Sequence, residues 1–174
     1  MPEILSSFLA AGIDSPAGPL AIRAGQPRDD EFRFALFCAS RPELALLPEA
    51  VRATVLRQQY RAQTASYASL YPQALTAIVE RDGRAIGRIV ADETPGCLHI
   101  VDIAMTPELR GQGAGGAVLL ALQRLASEAR ARIRLNVSTA NPLAQRFYAR
   151  LGFRETGGDD ANLLLEWTPR EERC

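Results

Sequence analysis

The stretch Ile103 to Gly116, IAMTPELRGQGAGG, limits what this chain can fold into more than any other. An apolar run is broken by Pro107, and a turn holding Arg110, Gly111, Gly113, Gly115 and Gly116 leads into the leucine-rich run Ala117 to Ala129. The pattern predicts a strand, a glycine turn and a helix N-terminus. Glycines without a Cβ let backbone N–H groups converge on one concavity, and the helix adds unsatisfied donors and its positive dipole end. Such a site favours an anion, most often a phosphate. A glycine-rich surface turn would carry the same letters.

Gly111, Gly113 and Gly116 also satisfy the dinucleotide pattern G-x-G-x-x-G. That pattern expects its first glycine directly off a strand and an acid about 20 positions beyond. Here TPELR intervenes, and the next strand, Ile133 to Val137, ends in Ser-Thr-Ala-Asn without an acid. The dinucleotide reading fails on context.

Arg110, Gly113 and Gly115 fill the pattern Q/R-x-x-G-x-G/A, and downstream the segment NPLAQRFYARLGF supplies Asn141, Ala144, Phe147, Tyr148, Leu151, Gly152 and Phe153. Both motifs resemble those of the GNAT superfamily of acetyl-CoA-dependent N-acetyltransferases, in the right order and separated by one helix and one strand. The resemblance runs from about Pro19 to the C-terminus, and upstream of Leu98 it rests on element order alone.

Taken in order, residues 1–18 read as an N-terminal extension of uncertain order, in which Ile4, Leu5, Phe8 and Leu9 could form one helical turn against the body. Residues 19–174 read as a single domain. A strand at Leu20 to Ala24 precedes Asp29 and Asp30, good helix-start residues, and a helix carrying Phe32, Leu36 and Phe37. A second helix starts near Pro48, carries Val51, Val55, Leu56 and Tyr60, and runs at most to Tyr71 before Pro72. Strands at Ala74 to Glu80 and Arg84 to Asp92 flank the hairpin signal Asp82-Gly83. Leu98 to Met105 is apolar at nearly every position, as a central strand buried on both faces requires. Helices at Gly113 to Ala129 and Leu143 to Leu151, and strands at Arg132 to Ser138, Phe153 to Gly157 and Asn162 to Thr168, complete the order. That order matches the α/β GNAT fold, a mixed, mostly antiparallel sheet with helices on both faces and splayed central strands.

Composition removes other classes. Net charge is zero and the 20 basic residues, all arginine, are scattered without a cluster, so the electrostatic footprint of a nucleic-acid binder is missing. Cys38, Cys97 and Cys174 are far apart and odd in number, which points to a reduced, cytoplasmic setting. With His99 the single histidine, no metal site is expected. No apolar run approaches the roughly 20 residues a membrane span needs.

The resemblance implies roles. The turn formed by Arg110, Gly111, Gln112, Gly113, Ala114, Gly115 and Gly116 would hold the pyrophosphate of coenzyme A, with Arg110 acting through its main chain or as a solvated charge. The strand ending Ile103-Ala104-Met105 would pair with the pantetheine arm through backbone groups of Ile103 and Met105. Asn141 would bond the same arm, though before Pro142 it also reads as a plain helix cap. Tyr148 takes the position of the acid that protonates the departing thiolate, a role open to a phenol near pKa 10.

The base is open. His99 and Asn136 stand where relatives carry a glutamate, and Asn136 cannot take a proton. His99, Asp102 and a water-mediated Glu93 remain, with His99 and Asp102 on opposite faces unless a bulge intervenes. The acceptor is then a primary amine on a small molecule or a peptide. Other classes are a non-catalytic acetyl-CoA-sensing module and a protein-directed acetyltransferase working through a partner. A homodimer is an expectation by analogy.

Overall fold

The computed structural model describes residues 3–169. Helix α1 (Glu3–Leu9) turns Ile4, Leu5 and Phe8 inward, and strand β1 (Gly12–Ile13) pairs antiparallel with β2 (Leu20–Ala24). Phe8 is fully buried in the main core, a contribution of about 2 to 3 kcal/mol. The N–H groups of Ile4 and Leu5 donate to the Glu93 carboxylate at 3.1 and 2.9 Å. A distant acid thus satisfies helix donors that the local sequence leaves bare. Residues 3–13 are therefore built into the body, and the helical turn expected from Ile4, Leu5, Phe8 and Leu9 forms against it.

Helix α2 (Asp30–Ala39) begins where its acids predict, yet Asp29 makes no side-chain cap to it. The Asp29 carboxylate instead accepts from the Gln26 N–H at 2.7 Å and from two Arg23 nitrogens at 2.7 and 2.8 Å. Helix α3 (Glu49–Leu70) ends ahead of Pro72 as expected, with Pro48 at its N-cap, one position outside the predicted N1. Leu56 and Tyr60 bury against Phe37 in a small second core, whereas Val51 is exposed, so only part of the predicted apolar stripe is used.

Strands β3 (Leu75–Arg81) and β4 (Arg84–Thr94) form a hairpin whose Asp82 and Gly83 have φ of 52° and 73°, the two positive values of a type I′ turn. Strand β5 (Cys97–Met105), helix α4 (Ala114–Glu128), strand β6 (Arg132–Ser138), helix α5 (Pro142–Arg150) and strands β7 (Arg154–Gly158) and β8 (Asn162–Trp167) follow. The sheet order is β1-β2-β3-β4-β5-β6-β8-β7, with β5 and β6 the parallel neighbours. Along β4, Ile89 and Ala91 enter the core that holds α1 and α4, while Arg88 and Val90 face the cleft beneath α3. Helices therefore cover both faces.

Candidate active site

Strand β5 is paired with β6 only over Cys97 to Ile100, which face Arg132 to Leu135. Beyond that point the strands part. Asn136 to Ser138 run beside β8, while Asp102 to Met105 keep β4 as their neighbour. This is why the second half of β5 is only half-buried, although the sequence predicts burial on both faces.

One hydrogen bond fixes where the released backbone groups point. Thr106 donates its N–H to the Ile86 carbonyl, on the β4 side, at 2.9 Å. In a planar trans peptide the Met105 carbonyl then points the opposite way. Strand alternation sends the N–H and C=O of Met105 and Ile103 to that same side. These groups face the gap left by β6, and the Met105 side chain packs in the core.

At the end of β5 a short 3-10 turn, Pro107–Leu109, is anchored by buried Leu109 and opens into the glycine turn. Gly111 and Gly113 have φ of 76° and 85°, and Gly113 is the N-cap of α4. A Cβ on Gly113 would also stand 2.9 Å from Cγ of Pro16. Gly115 and Gly116 have room, their nearest neighbours being Met105 and Phe147 at 3.7 and 3.9 Å. Among the described residues, the N–H groups of Gly111, Gly113, Ala114, Gly115 and Gly116 donate to no protein acceptor. Gln112 turns its N–H back to the Leu109 carbonyl at 3.2 Å, and the Arg110 guanidinium reaches the Ala39 carbonyl at the end of α2, also at 3.2 Å.

Tyr148 lies on α5 between Phe147 and Phe153, with ring centroids 5.3 and 5.6 Å away. Its hydroxyl makes no hydrogen bond among the described residues, yet it is not sealed from solvent. Burial, and after it the negative charge of Asp102, pushes the phenol up to about 12. It is protonated throughout the neutral range. Asn141 caps α5, its Oδ1 accepting from the Ala144 N–H at 3.0 Å.

The basic candidates are separated by their partners. The Asp102 carboxylate is held by Arg88, whose Nε lies 3.1 Å from Oδ2. His99 meets the Tyr71 hydroxyl at 3.5 Å through Nε2, and burial lowers its pKa below the usual 6.5. Glu93 is engaged by α1, which removes it from consideration as a base. Asn136 is exposed where β6 begins to diverge.

Sequence reasoning did not single out Arg33, Tyr67, Tyr71 or Arg88. Tyr60, Tyr67 and Tyr71 recur at i, i+7 and i+11 along α3, a helical-face spacing that was there to be read. With Arg33, Thr76 and Arg88 they line a cavity of about 280 Å³ between the helix and the sheet. Among the described residues, no cluster of His, Cys, Asp and Glu could hold a metal ion, and no helix is long and apolar enough to cross a membrane.

Residues 43–153 match the Acetyltransferase (GNAT) family. An uncharacterised N-acetyltransferase of Methanocaldococcus jannaschii is 34% identical over 111 residues, covering 58% of this chain and 70% of that protein. Among solved structures, the PaiA N-acetyltransferase of Thermoplasma acidophilum, in complex with coenzyme A, is similar with a TM-score of 0.66 at 18% identity, covering 86% of this chain and 98% of that one. A GNAT-family acetyltransferase of Listeria monocytogenes has a TM-score of 0.65 at 15% identity, covering 91% and 99%. The two structures bear on the fold alone at such identities, and it is the same fold. The family match spans the divergent strands and the glycine turn, and this chain belongs to the GNAT family of acetyltransferases.

Proposed function

We propose that the enzyme moves an acetyl group from acetyl-CoA to a primary amine by direct attack, with Tyr148 as the general acid. The observation that carries this reading is the succession of unpartnered backbone groups, from Ile103 and Met105 on β5 to the N–H groups of the glycine turn. An extended polar arm ending in a pyrophosphate matches that succession. The turn donates to the phosphates at the positive end of α4, and the strand donates and accepts along the arm.

The Met105 N–H faces the thioester oxygen, and one preorganised donor of this kind is worth about 3 kcal/mol at the transition state. The acceptor nitrogen attacks the carbonyl carbon, the C–S bond breaks, and Tyr148 gives its proton to the sulfur. Its pKa of about 12 keeps that proton available. His99, neutral because burial opposes its charging, takes the proton that the amine loses, with Tyr71 beside it. Asp102 acts through its charge and its hold on Arg88. No cysteine or serine lies in a nucleophile context, so no covalent enzyme intermediate is invoked.

The test is calorimetric titration of acetyl-CoA into wild-type protein and Gly115→Glu. A Cβ at position 115 meets Met105 and Phe147 only at van der Waals distance, and the glutamate adds a negative charge at the turn, with a thermal melt to check that the variant folds. Micromolar binding lost in the variant supports the reading. A folded wild type that binds no acetyl-CoA overturns it.

A further inference from the structure

The cavity beneath α3 has an uneven charge balance. Arg33 and Arg88 both line it. Arg88 is matched by Asp102. Arg33 is not matched in the same way: its nearest carboxylate oxygen, Oδ1 of Asp30, is 3.4 Å away and already accepts from the Tyr60 hydroxyl at 2.7 Å. The Arg33 Nε is buried and has no hydrogen-bond partner. Such orphans are uncommon in folded proteins and call for an explanation. The contrast with Arg23 is direct, since that side chain is met by both oxygens of Asp29 and by Glu80.

A third guanidinium, Arg41, stacks on the Phe37 ring and, among the described residues, donates to the Phe37 carbonyl and the Ser40 hydroxyl. The Tyr67 hydroxyl, on the wall of the same cavity, has no hydrogen-bond partner among the described residues. The cavity wall thus includes Arg88, which is paired with Asp102, and Tyr71, which meets His99.

Building on the proposed acetyl transfer, we infer that the acceptor is a small amine carrying a carboxylate, an α-amino acid or a close analogue, with Arg33 binding the carboxylate in the cavity beneath α3. A guanidinium short of acceptors offers a forked pair of donors that a carboxylate fits and a carboxamide does not. The amine is then directed along Asp102 toward the gap between β5 and β6. The volume of about 280 Å³ lies at the small end of ligand sites and suits a single amino acid.

The experiment screens the common α-amino acids, each beside its carboxamide, as acceptors with acetyl-CoA. The carboxamide's less basic nitrogen is unprotonated to a greater extent at neutral pH, so a preference for the acid runs against the supply of neutral amine. We expect at least one acid to be favoured about tenfold or more in kcat/KM. Arg33→Gln should raise KM for that acid by a similar factor and erase its advantage over the carboxamide, with acetyl-CoA binding retained, and Arg33→Lys should restore part of the preference. A second readout needs no turnover: the preferred acid, titrated into protein saturated with coenzyme A, should bind wild type and not Arg33→Gln. Equal use of acids and carboxamides, an acid preference that survives Arg33→Gln, or acetylation confined to peptide N-termini would each overturn the inference. Failure to bind acetyl-CoA strikes the transfer reading itself, whereas binding without acid preference strikes this one alone.

Discussion

His99 and Asp102 share one face of β5. In the register with β4, Asp102 stands opposite Val90 and His99 opposite Asp92, two residues apart, while Ala91 meets Ile100 and Val101 is the extra residue. The bulge shifts the alternation by one and turns both side chains toward α3. They do not pair with each other, for His99 meets Tyr71 and Asp102 is held by Arg88.

The first prediction concerns that histidine. Burial lowers the His99 pKa from 6.5, so the neutral, proton-accepting form persists below that pH. The acid limb of kcat/KM should accordingly fall below pH 6.5, and His99→Gln should remove it while lowering the plateau. The sign for stability is the same: a group whose folded pKa is depressed stabilises the fold above its unfolded pKa, and this is lost as pH falls through the folded value. Wild type should lose stability relative to His99→Gln only on the acid side of 6.5, as read by urea melts across pH.

Tyr148→Phe should cut kcat by about a hundredfold or more. Among the described residues the hydroxyl has no protein partner, so removing it breaks none of their hydrogen bonds, and the aromatic contacts to Phe147 and Phe153 survive. Thermal melting and KM for acetyl-CoA should barely change. A large fall in melting temperature would assign the tyrosine to packing.

Gly113→Ala separates conformation from binding. A left-handed φ and the Pro16 ring together disfavour any side chain, and the strain of the first alone is about 1 to 2 kcal/mol. Chemical denaturation should show at least that loss, whereas Gly115→Ala should be close to neutral.

Asp102→Ala leaves the Arg88 guanidinium, only 6% exposed, without its carboxylate. The cost should be about 3 kcal/mol. Arg88→Met combined with Asp102→Leu should regain most of it, and an additive double variant would show that the pair is not coupled.

The two motifs were legible because they are local: a turn and a helix start are written in consecutive residues, and Gly113, Asn141 and the Asp82-Gly83 hairpin all have the local conformation their spacing predicts. The strand order and the hairpin followed from alternation. Apart from the spacing of Tyr60, Tyr67 and Tyr71, the misses are long-range. Glu93 capping α1 spans nearly ninety residues, the Arg88 to Asp102 ion pair crosses two strands, and the bulge at Val101 has no residue signature. Each depends on what the fold brings alongside, which periodicity does not encode.

The parting of β5 from β6 has a consequence for association. A sheet normally has two edges, and here the outer ones are the two-residue β1 and the five-residue β7. A further unpaired ladder, Val101 to Met105 of β5, forms a third edge inside the sheet. Unpaired ladders invite other chains to add a strand. This one is closed at its base where Cys97 to Ile100 still meet β6, so it admits only a slender chain entering from the open end. With this ladder set inside the sheet and not along its outer rim, the fold keeps a backbone able to pair with an extended chain without adding a long outer edge.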